Sequence, residues 1–352
     1  MSATSPPSAR PAAADRAPDD SAKPIVLAQP RGFCAGVRRA IGIVERALDL
    51  HGAPVYVRKE IVHNHHVVAE LEKRGARFVD SEDEVPEGAV CVFSAHGVAP
   101  AVRTAAATRR LEVIDATCPL VAKVHQAAVR YARDGRTILL VGHADHEEVE
   151  GVRGEAPERT IVVETEQDVE RLGLPADAPV AYLTQTTLSS DETERVVEAL
   201  HRRFTDIVGP PGSDICYASS NRQNAVKALT RHNDLVLVVG SRNSSNSLRM
   251  VEVARELGSA AYLVPDADHL DESWLASASS IGISSGASAP EILVRSLLAR
   301  LASLGHTDVE LDDGVAEDVV FSMPARLADP LTGRVPSTPL ADEALRQERD
   351  PS

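Results

Sequence analysis

The chain has 352 residues, a length that favours two or three domains over a single core. Its formal net charge of -15 argues against a nucleic-acid-binding protein, because such domains usually carry a basic face. No apolar run reaches the roughly 18 residues of a membrane-spanning helix, so we expect no membrane partner and a location in the cytoplasm. Four cysteines in a chain of this length do not make a disulfide framework.

The two ends of the chain differ in composition from its middle. Residues 1–23 are rich in Ala, Pro, Ser and Asp and lack the apolar segment of a secretory signal. Residues 328–352 have a similar character, with four prolines and mixed charge. Because neither segment has enough apolar surface to bury, we expect the first to be disordered and the second to be disordered or to lie along the surface.

Between these tails, short apolar runs alternate with segments of helical periodicity. Runs that predict strands lie at residues 25–27, 55–57, 90–93, 113–114, 138–141, 161–163, 180–183, 235–239, 260–264 and 281–284. Helical periodicity is clear at residues 67–74, 192–204 and 291–304. Short strands that are apolar on both faces and alternate with helices are typical of parallel sheets, so the predicted fold class is α/β.

Three cysteines occupy equivalent places in this alternation. Cys34, Cys118 and Cys216 each follow an apolar run and precede a segment that can be helical. Such a turn favours a thiolate, because backbone N–H groups and the helix dipole lie close to the sulfur. Two polar clusters follow each cysteine, and they lie at residues 63–66 and 94–97, 142–146 and 184–187, and 240–246 and 284–288. We therefore expect three copies of one α/β unit with pseudo-threefold packing around a shared centre.

Three converging thiolates predict a site for a soft metal. Zinc and an iron–sulfur cluster are both compatible with them, and the spacing of the cysteines does not choose between the two. A cluster held by three cysteines leaves one iron without a protein thiolate, and that iron can bind substrate. The fourth cysteine, Cys91, lies inside the apolar run at 90–93, and we expect it to be a buried packing residue.

The polar clusters contain groups that suit a compact anion such as a phosphate or a diphosphate. These groups are His63, His96, His146, Ser244, Ser245, Asn246 and Ser288. Taken singly, some of them could be helix caps or hydrogen-bonded core histidines, but their recurrence in one register favours a binding site. Glu148, two residues beyond His146, is a candidate catalytic carboxylate, although composition alone does not distinguish it from Glu147.

Six segments of the chain together resemble the 4-hydroxy-3-methylbut-2-enyl diphosphate reductase family, the last enzymes of the non-mevalonate isoprenoid pathway. They are RGFCAGV at 31–37, SAHGV at 94–98, DATCPLV at 115–121, TQTTL at 184–188, DICY at 214–217 and GSRNSSNS at 240–247. The similarity runs in order from about residue 24 to about residue 326. The family often has proline where this chain has Glu147, and the register of the following residues makes Glu148 the matching acid.

The resemblance implies an α/β protein with three pseudo-threefold-related parallel domains around a central iron–sulfur cluster. The implied domains span residues 24–116, 117–213 and 214–327, the last with a C-terminal return segment. The cluster would be a [4Fe-4S] cluster with three protein ligands, which are Cys34, Cys118 and Cys216. Its open iron would act as a Lewis acid on the substrate oxygen.

The resemblance also implies a reaction and roles for the polar residues. The C4 hydroxyl of (E)-4-hydroxy-3-methylbut-2-enyl diphosphate would be removed reductively, giving isopentenyl and dimethylallyl diphosphates. The diphosphate would be held by His63, His96, His146, Ser244, Ser245, Asn246 and Ser288. Thr186 would bind the substrate near the departing hydroxyl, and Glu148 would supply protons.

An electron donor would have to come from outside the chain. We find no Gly-x-Gly-x-x-Gly fingerprint for a nicotinamide or a flavin, and the family's usual donor is a small ferredoxin or flavodoxin. An iron–sulfur hydro-lyase is an alternative, but it moves no net electrons. A cluster-based iron or oxygen sensor is a second alternative, although it would not need the histidine and serine loops and would usually carry a DNA-binding element, which we do not find.

Overall fold

The structure is a computed structural model, and it describes residues 22–327. Most of the two predicted tails, residues 1–21 and 328–352, lies outside the described residues. Lys23, which the sequence placed at the end of the N-terminal tail, is buried. Its backbone N–H donates a hydrogen bond to His306 Nδ1 at 3.1 Å. The packed part of the chain therefore begins slightly before the predicted boundary.

Thirteen strands in the described part of the chain form three sheets. The strands are β1 (Ile25–Leu27), β2 (Val55–Arg58), β3 (Ala76–Val79), β4 (Val90–Phe93), β5 (Glu112–Asp115), β6 (Thr137–Val141), β7 (Thr160–Val163), β8 (Val180–Thr184), β9 (Ile207–Val208), β10 (Leu235–Val239), β11 (Ala260–Val264), β12 (Ile281–Ser285) and β13 (Val309–Leu311). All ten predicted runs are strands. The sequence missed β3, β9 and β13, which lie at sheet edges and therefore lack a two-sided apolar pattern.

Ten α-helices connect these strands within the described residues. They are α1 (Ala35–His51), α2 (His65–Lys73), α3 (Pro100–Thr108), α4 (Pro119–Arg133), α5 (Glu147–Glu155), α6 (Glu166–Arg171), α7 (Ser190–Arg203), α8 (Tyr217–Leu229), α9 (Ser245–Glu256) and α10 (Glu291–Ser303). Short 3-10 helices lie at Glu82–Glu84, Ala267–His269, Glu272–Leu275 and Ala325–Leu327. No helix in this part of the chain combines the length and the apolar character needed to cross a bilayer.

The three sheets are parallel throughout, which confirms the predicted α/β class with three parallel units. The first has the strand order β3-β2-β4-β5 and the second β7-β6-β8-β9. The third has the order β11-β10-β12-β1-β13, so the first strand of the chain pairs with strands close to its end. The predicted first domain thus begins with a strand that belongs to the third sheet. The other predicted domain limits remain predictions.

Each sheet is covered by apolar packing on both faces. The described residues form six apolar clusters, two for each sheet. Leu139 and Leu140 are neighbours on β6 and enter different clusters, because successive side chains of a strand point to opposite faces. Leu237 and Val238 divide in the same way on β10. This two-sided burial fixes the carboxyl ends of the strands, where the polar loops begin.

The three cysteines lie where the chain passes from one sheet to the next. Cys34 lies between β1 of the third sheet and α1, which leads to the first sheet. Cys118 lies between β5 of the first sheet and α4, which leads to the second. Cys216 lies between β9 of the second sheet and α8, which leads back to the third. The crossings follow one another in a closed cycle, so the cysteines come together at the middle of the molecule.

Candidate active site

Each of the three cysteines immediately precedes a helix. The Cys34 sulfur accepts a hydrogen bond from the backbone N–H of Val37 at 3.4 Å, at the start of α1. The Cys216 sulfur accepts one from the backbone N–H of Ser219 at 3.3 Å, at the start of α8. Cys118 directly precedes Pro119, the first residue of α4. All three sulfurs therefore lie at the positive ends of helices, where a negative charge on sulfur is stabilised.

The backbone hydrogen bonds of the cysteines repeat the threefold pattern. The N–H of Cys34 donates to the carbonyl of Ala287 at 3.2 Å, and that of Cys118 donates to the carbonyl of Ala95 at 2.9 Å. The N–H of Cys216 donates to the carbonyl of Thr186 at 2.9 Å. Each acceptor belongs to the second polar cluster of one repeat. The three cysteine turns are thus hydrogen-bonded to three polar loops, one at the end of each sheet.

The three sulfurs share one cavity, with a volume of about 110 Å³. None of the three cysteines is in a disulfide. A Cβ atom added to Gly36 would lie 2.9 Å from the Cys118 sulfur and 3.7 Å from the Cys34 sulfur, so only glycine leaves this space open. Three free sulfurs around a space that a single methyl group would invade are a donor set that fits a soft metal or cluster.

Burial affects the protonation of these thiols. It raises the pKa of Cys118 to about 12, and the neighbouring Cys34 adds to this effect. It also raises the pKa of Cys216 to about 11, again with a contribution from Cys34. Without a bound cation, the thiols of Cys118 and Cys216 stay protonated at neutral pH, because burial outweighs the stabilisation of a thiolate by the backbone N–H groups at the helix starts. A metal would replace those protons and remove the mutual repulsion of the thiolates.

Cys91 is separate from this cavity. It is fully buried on β4 and packs in an apolar cluster with Val85 and Phe93. Burial raises the pKa of its thiol to about 12. The expectation that Cys91 is a packing residue is therefore confirmed.

The cavity that holds the sulfurs brings together every candidate site residue from the sequence. Its lining includes Cys34, Cys118, Cys216, His63, His96, His146, Glu148, Thr186, Ser244, Ser245, Asn246 and Ser288. Phe321 also contributes to the lining and lies in the C-terminal return segment, residues 312–327, which follows β13. These residues come from loops at the ends of all three sheets, so the candidate site exists only when the three sheets are packed together.

The three histidines form a compact group. The rings of His63 and His96 stack with centroids 4.0 Å apart and an angle of 12° between their planes. His146 meets both rings edge-on, at centroid distances of 5.7 Å and 6.0 Å. Burial lowers the pKa of His146 to about 3, with further lowering by His96 and His63. Burial also lowers the pKa of His63, again with a contribution from His96.

The serine and asparagine side chains face the histidines from the third sheet. The Ser244 hydroxyl caps α9, because it accepts a hydrogen bond from the N–H of Ser247 at 3.4 Å. The Ser288 hydroxyl donates to the carbonyl of His63 at 3.0 Å. Asn246 accepts from the N–H of Ala287 at 2.9 Å through its Oδ1. Ser244 is thus both a helix cap and a lining residue, so the two interpretations of it are compatible.

Glu148 and Thr186 form a closely bonded pair beside the sulfurs. The N–H of Thr186 donates to Glu148 Oε1 at 2.7 Å, and the Thr186 hydroxyl donates to Oε2 at 2.8 Å. Burial raises the pKa of Glu148 to about 7, although the two bonds from Thr186 act in the opposite direction. At neutral pH this carboxyl can therefore hold or release a proton, which is the property a general acid needs.

Two acids next to the histidines were not assigned a role from the sequence. Glu60 Oε2 lies 3.4 Å from His63 Nδ1, and Glu147 Oε2 lies 3.1 Å from His96 Nδ1. Glu60 also accepts a hydrogen bond from the Asn243 side chain at 2.7 Å. The signal in the sequence was proximity along the chain, since Glu60 lies three residues before His63 and Glu147 directly follows His146. Such proximity does not say which histidine an acid meets in space.

A second, larger cavity of about 690 Å³ lies outside the histidine group. His63 and His146 line both cavities, so these rings stand between the two spaces. Acidic side chains outnumber basic ones in the lining of the outer cavity, which contains Lys59, Arg242 and Arg249 together with Glu60, Asp80, Glu84, Asp145, Glu147 and Glu252.

Comparison with known proteins identifies similar sequences over nearly the whole chain. A family model described as "LytB protein" matches residues 25–302. A 4-hydroxy-3-methylbut-2-enyl diphosphate reductase of Burkholderia pseudomallei is 55% identical over 311 residues, which are 88% of this chain and 99% of that protein. The protein of the same name from Nocardia farcinica is 57% identical over 309 residues, which are 88% of this chain and 92% of that protein.

Two solved structures are similar in fold as well. One is described as the E-1-hydroxy-2-methyl-but-2-enyl-4-diphosphate reductase from Plasmodium falciparum, with a TM-score of 0.81 and 36% identity. The match covers 94% of this chain and 99% of that one. The other is described as (E)-4-hydroxy-3-methyl-but-2-enyl diphosphate reductase, the terminal enzyme of the non-mevalonate pathway. Its TM-score is 0.57 at 32% identity, with 80% of this chain and 99% of that one covered.

Proposed function

The chain belongs to the LytB family of 4-hydroxy-3-methylbut-2-enyl diphosphate reductases, and from this premise we propose a specific reaction for it. The C4 hydroxyl of (E)-4-hydroxy-3-methylbut-2-enyl diphosphate is removed with two electrons and two protons. The products are water and either isopentenyl or dimethylallyl diphosphate. The observation that carries the proposal is a single cavity that combines three free cysteines, an anion-binding group of side chains and a buried acid.

We propose that Cys34, Cys118 and Cys216 bind a [4Fe-4S] cluster. When bound, such a cluster supplies electrons and a Lewis-acidic iron that has no protein thiolate. The sulfurs suit this role because they lie at helix N-termini and converge on a space that Gly36 keeps open. The same three thiols would also accept zinc, so a direct analysis of the metal is part of the test.

The histidines and the third-sheet side chains would hold the diphosphate. The histidines come from the segments after β2, β4 and β6, and the hydroxyl and amide groups come from the start of α9 and from the loop after β12. Donors on two opposite sides can fix both ends of a compact anion and its orientation relative to the sulfurs.

Glu148 and Thr186 would deliver the proton to the departing hydroxyl. A protonated Glu148 can donate to the Thr186 hydroxyl, whose own O–H then points into the cavity. Proton transfer along this pair leaves Glu148 ionised. The N–H of Thr186, which bonds to Oε1 at 2.7 Å, then stabilises the negative charge.

The electrons would come from a small ferredoxin or flavodoxin, and we propose that the protein works in the cytoplasm beside such a donor. The decisive experiment uses protein purified without oxygen. Iron and sulfide analysis and EPR spectroscopy, with and without the allylic diphosphate, test for the cluster and for binding of the substrate near it. Turnover with a chemically reduced donor tests the reaction.

The expected result is iron and inorganic sulfide in equal amounts, an EPR signal that changes on addition of substrate, and two electrons consumed for each product molecule. A protein that contained zinc and no sulfide would contradict the proposed cofactor. Conversion without consumption of the reductant would indicate a hydro-lyase. A cluster that responds to oxygen or iron but converts no substrate would indicate a sensor.

A further inference from the structure

Each of the two stacked histidines has a carboxylate at its Nδ1 atom. His63 Nδ1 lies 3.4 Å from Glu60, and His96 Nδ1 lies 3.1 Å from Glu147. Both acids line the outer cavity, whereas both histidines line the cavity of the sulfurs. Since Nδ1 of each ring is engaged by a carboxylate, Nε2 is the nitrogen that remains for a ligand in the inner cavity.

This arrangement restricts how the rings can bind an anion. A neutral imidazole carries one N–H, and a carboxylate at Nδ1 keeps that proton there. The Nε2 of such a neutral ring presents a lone pair, which repels a phosphate oxygen. A ring that donates to both the carboxylate and the anion must be an imidazolium. Binding of a diphosphate through Nε2 therefore requires an additional proton on the ring.

The surrounding charges indicate which groups are ionised before the ligand arrives. Although burial opposes ionisation, the hydrogen bond from His96 and the charge of Lys59 help to hold the pKa of Glu147 below its usual range. The pKa of Glu60 is also low, because bonds from His63 and Asn243 outweigh its burial. His146 is neutral at pH 7, since burial lowers its pKa to about 3.

We propose that Glu147 is a positioning residue that allows His96 to bind the diphosphate as an imidazolium, so that the ligand and a proton bind together. Glu147 is the first residue of α5, where the helix dipole stabilises its negative charge. His63, His146 and Glu147 are the ionisable groups at the His96 ring. Behind them, Glu60 acts on His63, Lys59 on Glu147 and His143 on His146. Of all these groups, Glu147 forms the hydrogen bond to His96.

The same side chains also suggest a different ligand. Atoms of His63, His96 and Glu147 that can bind a metal all lie within 4.8 Å of one another. The contact of each Nδ1 with its own carboxylate and the parallel stacking of the rings favour proton sharing over a shared cation. Binding of a divalent cation here is therefore one of the outcomes that the experiment must distinguish.

The inference rests on the proposed function, because it assumes a diphosphate ligand. The test is calorimetric titration of the cluster-containing protein with inorganic diphosphate, in buffers of different ionisation enthalpy, at about pH 6 and about pH 8.5. The dependence of the heat on the buffer gives the number of protons taken up. We expect proton uptake by the wild type at the higher pH, and less uptake by Glu147→Gln.

The affinities give a second, independent readout. At about pH 8.5, Glu147→Gln should bind diphosphate about tenfold more weakly, because the imidazolium loses its charge-assisted hydrogen bond to a carboxylate. At about pH 6, where the rings gain protons more easily, the variant should bind as tightly as the wild type or more tightly. Cluster content and melting temperature should not change, which separates this effect from a loss of structure.

Glu150→Gln is the matched control, since it removes the same charge from an exposed position on the same helix. Simple repulsion between an acid and the anion predicts tighter binding in Glu147→Gln at both pH values, and that result would overturn the inference. Unchanged proton uptake in Glu147→Gln would also overturn it. A loss of binding with a chelator that zinc restores would assign the three groups to a cation instead. If the wild type does not bind diphosphate at either pH, the proposed function itself fails.

Discussion

At the scale of single residues, the properties of Glu148 follow from the place of its carboxyl group. The carboxyl is buried, and Thr186 occupies both of its oxygens with hydrogen bonds. The neighbouring Glu147 is half-buried and turns toward His96. Successive residues of a helix point about 100° apart, so these two adjacent acids reach different cavities.

We expect Glu148→Gln to lower turnover by about 10²–10⁴-fold, the usual contribution of a positioned general acid. The amide keeps the size of the side chain but cannot release a proton. Iron and sulfide content should be normal, and the substrate should still change the EPR signal. A variant that turns over at the wild-type rate would show that protons come from another group.

The pH dependence of kcat tests the same general-acid role of Glu148. Because burial raises the folded-state pKa of Glu148 to about 7, the acid is protonated below this pH and ionised above it. Only the protonated form donates, so kcat of the wild type should fall as the pH rises through about 7. The residual activity of Glu148→Gln should lack this decline. A kcat that stays constant from about pH 6 to about pH 8 would contradict the role.

At the scale of secondary-structure elements, the starts of three helices form the candidate metal site. The cysteines before α1, α4 and α8 combine a helix N-terminus with a backbone bond to a polar loop. This arrangement holds each sulfur independently of the other two cysteines. The packing of the three sheets therefore brings the three sulfurs together. We expect the loss of one sulfur to leave the other two in place.

Serine at Cys34, Cys118 or Cys216 should remove or degrade the cluster, since a hydroxyl is a much poorer ligand for iron than a thiolate. Cys91→Ser should keep the cluster, because Cys91 lies in a separate apolar cluster. Iron and sulfide content and the EPR signal of the four variants are the measurements. Equal loss of iron from Cys91→Ser would refute a site made of three cysteines.

Gly36→Ala tests the space between the sulfurs without changing a ligand. Gly36 is the second residue of α1, and its φ is not in the left-handed region, so alanine is compatible with the backbone there. Here the added Cβ would lie 2.9 Å from the Cys118 sulfur, so we expect poor cluster incorporation despite an intact α1. Circular dichroism would report the helix content, and iron analysis the cluster. Full iron content in this variant would show that the site tolerates the methyl group.

At the scale of the whole molecule, the C-terminal return segment packs against α8 and the cavity that holds the three sulfurs. Glu317 in this segment forms an ion pair with the fully buried Arg222 of α8 at 3.0 Å. The Arg222 side chain also donates to the carbonyl of Gly32 at 2.7 Å, beside the first cysteine turn. A few residues further on, Phe321 lines the cavity of the sulfurs. The buried pair thus connects the segment to the core next to the candidate site.

We expect Glu317→Ala to lower the melting temperature of the cluster-containing protein by about 5 °C or more, because it leaves the Arg222 charge buried without its partner. The cluster should also be lost faster in air, since the segment that carries Phe321 is held less firmly. Asp318→Ala is the control, as Asp318 is exposed. Equal stability and equal cluster lifetime in the two variants would show that the ion pair does not hold the segment.

The sequence by itself determined the strand and helix alternation, the parallel α/β class and the positions of the cysteine turns and polar loops. These features depend on local patterns, such as apolar runs, helical periodicity and repeated motifs, which do not need the rest of the chain. The strands it missed, β3, β9 and β13, lie at edges and carry a weak apolar pattern. Their places depend on the neighbouring strand of the sheet.

Only the tertiary structure decided how the repeats share residues. The sequence order places β1 in the first repeat, but its backbone pairs with β12 and β13 of the third sheet. The contacts of Glu60 and Glu147 with the stacked histidines and the pair of Arg222 with Glu317 likewise join distant parts of the chain. Such contacts depend on the packing of whole sheets against one another, and a local pattern of residues does not specify that packing.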